Sequence, residues 1–129
     1  ISCMKSGSDL GAKQQADRIM KLNKGVKQWP KLTIISGRAD GIVNPKNSLD
    51  MEQQWSQLHQ VSEQAQTQKG TNMTTTYWGD TKNVELIELD NIGHGFPVNP
   101  NVKRGGTVAP FVVASDLSAA QYLVDKWIN

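Results

Sequence analysis

Apolar and polar positions along this chain fall into blocks that predict alternating helices and strands. Residues 9–23 (DLGAKQQADRIMKLN) place apolar side chains at roughly helical spacing after a possible capping residue, Asp9. The next apolar block, LTIIS at 32–36, does not alternate and is rich in β-branched residues. Such a run is typical of a strand covered on both faces, as in a parallel sheet.

A long second helix is predicted after this strand. Asn44 can cap it, and Pro45 suits its first helical position. Lys69-Gly70 is a suitable end for the helix. One face of this helix carries apolar or small side chains: Met51, Trp55, Leu58, Ser62 and Ala65.

Two further strands and a helix complete the pattern. MTTTYW at 73–78 and VELIEL at 84–89 predict an antiparallel hairpin or two neighbouring strands. Residues 91–106 are rich in Gly, Pro and Asn, which indicates a loop. Ser115 or Asp116 can cap a last helix. The order helix, strand, long helix, strand pair, loop, helix predicts an α/β layered sheet in one domain.

Composition and charge narrow the possible partners. The 129 residues carry a net charge of +2, and Lys and Arg are scattered, so we expect neither a nucleic acid nor a membrane surface as partner. No apolar run approaches the roughly 20 residues of a membrane span, and no leader sequence is recognised. Cys3 is the single cysteine, so it is either an inert thiol or one half of a disulfide whose other cysteine lies upstream of this chain. The start at Ile1 suggests processing or a longer protein.

Two residues that can carry chemistry follow strand-like runs. Asp40 lies in the bend SGRADGIVNP after LTIIS, and His94 lies between Gly93 and Gly95 after VELIEL. Reactive groups of open α/β sheets lie beyond the carboxyl ends of the strands. Flanking glycines would uncover the imidazole and allow backbone angles that aim it into a cleft. An aspartate that orients a histidine acting as general base is two-thirds of a nucleophilic triad.

Simpler interpretations stay open at this stage. Asp40 can be a turn former, Gly-His-Gly can be a tight turn, and His59 reads as a surface or half-buried position. The order Asp then His is that of α/β-hydrolases, in which the nucleophilic serine comes first, in a G-x-S-x-G elbow. None of the nine serines has that context, so the nucleophile is absent from the chain.

Five segments occur in a characteristic order and spacing along the chain. They are SCM at 2–4, the stretch from Trp29 to Trp55 (WPKLTIISGRADGIVNPKNSLDMEQQW), GHGFPV at 93–98, APF at 109–111, and the tail from Ser118 to Trp127. In this order they resemble the C-terminal part of polyhydroxybutyrate depolymerase-type esterases, which are secreted α/β-hydrolases.

The resemblance implies a fold, an activity and roles for two residues. Residues 1–129 would form the C-terminal portion of an α/β-hydrolase sheet with flanking helices, lacking the half that bears the serine. Asp40 would be the triad acid and His94 the triad base. The substrate would be an ester, namely a hydroxyalkanoate oligomer or polymer. No metal or organic cofactor would be required, and the protein would be secreted or periplasmic.

Other functions compete with this one. A feruloyl or acetyl xylan esterase is the alternative among enzymes, because related esterases share these motifs. A non-catalytic α/β binding or interaction module is the alternative from a different class. Without the N-terminal half as a partner, the strand at 32–36 would have an unpaired edge, so we also expect self-association.

Overall fold

Four strands form one mixed sheet in the computed structural model, which describes residues 11–25, 28–59, 65–79 and 83–127. The strands are β1 (Leu32–Gly37), β2 (Ala65–Gly70), β3 (Met73–Trp78) and β4 (Val84–Leu89), and their order across the sheet is β1-β4-β3-β2. The pair β1 and β4 is parallel, whereas β3 is antiparallel to both β4 and β2. The strands predicted at 32–36, 73–78 and 84–89 are therefore confirmed, the last two as antiparallel neighbours.

The described residues also form three helices: α1 (Ala12–Leu22), α2 (Lys46–Leu58) and α3 (Ala119–Trp127). The indole of Trp78 donates a hydrogen bond to Glu52 of α2, and the hydroxyl of Tyr122 in α3 donates to Glu85 of β4. Trp78 pairs across the sheet with Val84, the residue before Glu85. Because successive residues of a strand point to opposite faces, α2 and α3 cover opposite faces of the sheet. An α/β layered arrangement is thus confirmed.

The core is centred on β4, which has a neighbouring strand on each side. Its apolar side chains at positions 84, 86, 87 and 89 are at most 2% exposed. Helix α1 packs on α2, and α2 in turn packs on β1 and β4. The strand that precedes the His94 loop is therefore buried and paired on both sides.

The long second helix is shorter than predicted. Asn44 does act at its start, because its side-chain oxygen accepts a hydrogen bond from Lys46 N–H at 2.9 Å. However, α2 ends at Leu58, and residues 65–70 form the edge strand β2 instead of the last helical turns. A two-residue connection, Thr71-Asn72, joins β2 to β3, and Asn72 has a positive φ of 58°, which Asn adopts more readily than most residues. Backbone pairing with β3 thus overrides the helical pattern, while Ser62 lies outside the described residues.

The predicted ends of the other two helices also shift. Helix α1 begins at Ala12 rather than Asp9, and its expected Asp9 cap lies outside the described residues. Helix α3 begins at Ala119, and its cap is Ser118, whose hydroxyl accepts from Gln121 N–H, not Ser115 or Asp116. Asp116 is instead used between loops, where Asn72 and Asn99 donate hydrogen bonds to it.

The segment predicted as loop at 91–106 contains a short strand. Strand β5 (Phe96–Val98) pairs in parallel with β6 (Val112–Ala114) in a separate two-stranded sheet. This pairing joins positions sixteen residues apart, and three-residue strands leave almost no periodic pattern to recognise. No helix in the described part of the chain has the length and apolar character needed to cross a bilayer.

The position of β1 at the edge of the described sheet predicts that copies of this chain associate with one another. Strand β1 is paired only with β4 among the described strands, and its segment LTIIS holds no charged residue to discourage pairing with another chain. We expect the purified 129-residue chain to self-associate at tens of micromolar in light scattering. A monomer that unfolds cooperatively on heating would contradict this and would favour a self-sufficient binding module.

Candidate active site

The loops that follow β1 and β4 are joined by backbone contacts. Since the two strands are parallel neighbours, their carboxyl ends lie at the same edge of the sheet. There, Ala39 N–H donates to the carbonyl of Ile92 at 3.0 Å. Gly37 permits this approach, because a Cβ at this position would lie 2.1 Å from the Ile92 carbonyl oxygen. The bend that holds Asp40 is thereby fixed against the loop that holds His94.

Asp40 uses its two carboxylate oxygens for different tasks. Oδ1 accepts hydrogen bonds from the backbone N–H groups of Ile42 at 2.9 Å and Val43 at 2.8 Å. Oδ2 lies 3.0 Å from Nδ1 of His94. An ionised carboxylate only accepts hydrogen bonds, so Nδ1 carries the proton and donates it. The turn-forming and His-orienting interpretations of Asp40 are therefore compatible, and the predicted contact between the two side chains is present.

The surroundings of Asp40 favour its ionised form. Desolvation by partial burial alone would raise the pKa of the carboxyl group, but the bonds from Val43, His94 and Ile42 outweigh it and hold the pKa below its usual range. The ionised Asp40 therefore stabilises the fold above its ordinary pKa, about 3.9, and this contribution is lost as the pH falls through the lower folded-state value. At neutral pH Asp40 is an anion facing His94.

The His94 side chain is 41% exposed, whereas that of Asp40 is 12% exposed. Nδ1 is engaged by Asp40, so Nε2 is the nitrogen available to a reacting group. The sequence suggested that the two flanking glycines allow unusual backbone angles, but neither has a positive φ. Gly95 is required for packing, since a Cβ there would lie 2.8 Å from Val113, whereas Gly93 has no such close neighbour.

A cleft of about 500 Å³ brings these groups together, with residues of β1 and α3 in its walls. Two serines, Ser36 and Ser48, also line it. No hydrogen bond joins either hydroxyl to His94 within the part of the chain that the structure describes. The other histidine, His59, lies apart from this cleft, is half-buried, and bonds through Nε2 to the carbonyl oxygen of Pro30 at 2.7 Å.

One neighbour of His94 was missed by the analysis of the sequence. The ring of Phe111 meets the imidazole edge-on, with ring centroids 6.3 Å apart and planes at 78°. Phe111 also lines the cleft. Its position in APF was noted only as part of the resemblance. No local pattern in the sequence could have identified it, because its place beside His94 depends on the pairing of β5 with β6.

Comparison with known proteins shows a structural likeness to an esterase. No protein-family model matches the chain, and no curated protein matches it. Among solved structures, an acetyl xylan esterase from Aspergillus awamori superposes with a TM-score of 0.63 at 22% sequence identity. The match covers 72% of this chain and 35% of that chain, so this chain spans about a third of the esterase's length. At this identity the likeness concerns the fold, a mixed sheet with helices on its faces.

Proposed function

We propose that the chain is part of a serine-type carboxylic ester hydrolase, in which His94 is the general base and Asp40 orients it. The observation that carries this proposal is the 3.0 Å contact between Asp40 Oδ2 and His94 Nδ1 in an open cleft. The carboxylate fixes the tautomer in which Nε2 is free to accept a proton, and it stabilises the imidazolium that then forms.

The chemistry proceeds in two stages, acylation and deacylation, and in each stage His94 takes up a proton and returns it. Nε2 takes the proton of a serine hydroxyl while its oxygen attacks the ester carbonyl carbon, and the tetrahedral oxyanion is held by backbone N–H groups near that serine. The imidazolium returns the proton to the departing alkoxide, which leaves as the alcohol. Water then attacks the acyl-serine while His94 takes its proton, and the imidazolium returns that proton to the departing serine oxygen, which releases the acid and restores the serine.

We place the nucleophile outside these 129 residues. None of the nine serines lies in a G-x-S-x-G elbow, and the structural neighbour is nearly three times as long as the matched region. A further strand beside β1 would bring a serine-bearing turn to the same edge of the sheet as Asp40 and His94. Residues 1–129 are on this proposal the C-terminal part of a secreted or periplasmic α/β-hydrolase domain that requires no metal or organic cofactor.

The substrate class has two candidates. The sequence motifs resemble polyhydroxybutyrate depolymerase-type esterases, which favours a hydroxyalkanoate oligomer or polymer. The structural neighbour favours an acetyl ester of a plant polysaccharide. Feruloyl esters of the same polysaccharides are a further variant of the second candidate. Each class presents an ester carbonyl to the same Asp40–His94 pair.

Assays of two protein forms test the proposal. The complete protein, expressed from its whole reading frame, should hydrolyse p-nitrophenyl acetate. The 129-residue chain alone should do so no faster than its His94→Ala variant, because it lacks the nucleophile. Turnover by the isolated chain that depends on His94 would place the nucleophile within it, and Ser36→Ala and Ser48→Ala would then identify which serine acts. A complete protein without hydrolytic activity would support the binding module instead.

A further inference from the structure

Phe111 occupies a turn position that an aromatic residue rarely takes. Ala109 N–H donates to Val112 O at 3.1 Å, and Val112 N–H donates back to Ala109 O at 2.9 Å, so Pro110 and Phe111 form the two central positions. Phe111 has a φ of 59°. A turn with Pro at its second position and a positive φ at its third is of type II, in which the third residue is normally Gly or Asn.

Hydrophobic burial does not compensate for this conformation. Phe111 is 69% exposed, the second-highest value among the large apolar residues that the structure describes. The turn is nevertheless held firmly, because Phe96 N–H donates to the Phe111 carbonyl at 2.7 Å. Residues kept in sparsely populated backbone regions cluster at ligand-binding sites, where their surroundings enforce them. The ring of Phe111 is thus held exposed at the cleft.

The position of the ring beside His94 indicates which part of a substrate it meets. In the proposed reaction His94 must protonate the departing alkoxide, so the leaving oxygen comes within hydrogen-bond reach of Nε2. Groups that surround the imidazole therefore contact the alcohol moiety of the ester rather than its acyl group. Phe111 lies edge-on to this imidazole and lines the same cleft.

We propose that Phe111 is a specificity residue that packs against the C–H groups of the alcohol moiety of the bound ester; this rests on the proposed esterase function. Two kinds of alcohol moiety present such C–H groups: a pyranose ring of a polysaccharide and the alkyl chain of a hydroxyalkanoate unit. A very small alcohol such as methanol does not extend far enough to gain from the ring.

Kinetics of the complete protein with Phe111→Gly test the proposal, because glycine accepts the positive φ without strain. Two substrates have an extended alcohol moiety: acetylated xylotriose and the 3-hydroxybutyrate trimer. Two others, methyl acetate and methyl hexanoate, have methanol as their alcohol and differ in the length of the acyl group. We expect the variant to lose about tenfold in kcat/KM for xylotriose acetate, for the trimer, or for both. Both methyl esters should lose much less in kcat/KM than these substrates, and the thermal midpoint should be equal to or above that of the parent protein. The substrate that loses most identifies the source of the alcohol.

Val108→Ala is the matched control, since Val108 is an exposed apolar residue near the same turn that does not line the cleft. It should change none of these rates. Three results for Phe111→Gly would overturn the assignment of Phe111 while leaving the esterase function intact. These are equal losses on all substrates, a loss confined to methyl hexanoate with its longer acyl group, and full retention of activity. Failure of the parent protein to hydrolyse any ester would instead remove the proposed function, and with it this role of Phe111.

Discussion

Replacing His94 with alanine should lower kcat for ester hydrolysis by the complete protein by about 10⁴-fold or more, with little change in KM. Without the imidazole no group removes the proton of the serine or returns it to the leaving alkoxide. Substrate binding depends on other surfaces of the cleft, so the ground state is little affected. The measurement is steady-state kinetics with p-nitrophenyl acetate on variants of equal thermal stability.

Asp40→Asn provides a finer test of the same pair. The side-chain oxygen of asparagine can still accept from Ile42 and Val43 N–H, so the bend can be kept. Its amide group would face Nδ1 and favour the wrong imidazole tautomer, and we expect a loss of about 10⁴-fold in kcat. His59→Ala is the matched control, because His59 lies apart from the cleft and bonds to Pro30. Loss of activity as large in His59→Ala as in His94→Ala would mean that the effect is structural.

Removing the Lys126 ammonium should destabilise the fold by about 3–5 kcal/mol. Its Nζ lies 3.0 Å from Oε1 of Glu85, a side chain with no exposed surface, and it also donates to Thr33 Oγ1 at 2.8 Å. Lys126→Met leaves the Glu85 carboxylate buried without its cation, and among the residues that the structure describes the hydroxyl of Tyr122 is then its remaining donor. Urea unfolding of the purified chain measures the loss of free energy.

A double-mutant cycle separates this ion pair from simple loss of packing. The second change, Glu85→Gln, removes the buried charge, so the combination with Lys126→Met should be less destabilising than the sum of the two single changes. Lys13→Met is the control, since its ion pair with Asp17 is highly exposed and should contribute at most about 0.5 kcal/mol. Additive effects of the two changes would show that Lys126 and Glu85 are not coupled.

The stability of this buried cluster also depends on the protonation of Tyr122, which donates to Glu85. Burial, followed by the hydrogen bond and the charge of Glu85, raises the pKa of Tyr122 far above its usual range. A phenol whose pKa is raised in the folded state contributes stability that is present below its ordinary pKa, near 10, and is lost at higher pH. The buried cluster is therefore stabilising at neutral pH and weakened by strong base.

The contact between Asp40 and His94 could be anticipated because it depends on a simple topological relation. Each residue follows an apolar run, and adjacent parallel strands bring their carboxyl ends to one edge. Neither the resemblance nor this relation revealed the burial of Glu85. A charged residue within VELIEL gives no sign of its partners, and Lys126 lies 41 residues further along the chain.

Strand β2 could not be predicted from its own sequence. AQTQKG has no alternation of apolar and polar residues and a single β-branched residue, Thr67, and all six of its residues are exposed. Its conformation comes from pairing with β3 and from the turn at Asn72, both of which are decided outside the segment itself. The exposed ring of Phe111 was missed for a related reason, because its positive φ is imposed by contacts with β5 and the turn at 109–112.

Labelling with a fluorophosphonate, followed by peptide mass spectrometry, tests the central claim most directly. The reagent forms a covalent bond only with a serine that is activated by a nearby base. In the complete protein we expect a single labelled serine that precedes Ile1 in the reading frame, and we expect the label to disappear in His94→Ala. Labelling of Ser36, Ser48 or any other serine within these 129 residues, or labelling that persists without His94, would contradict the assignment of Asp40 and His94 as the acid and base of a serine esterase whose nucleophile lies outside this chain.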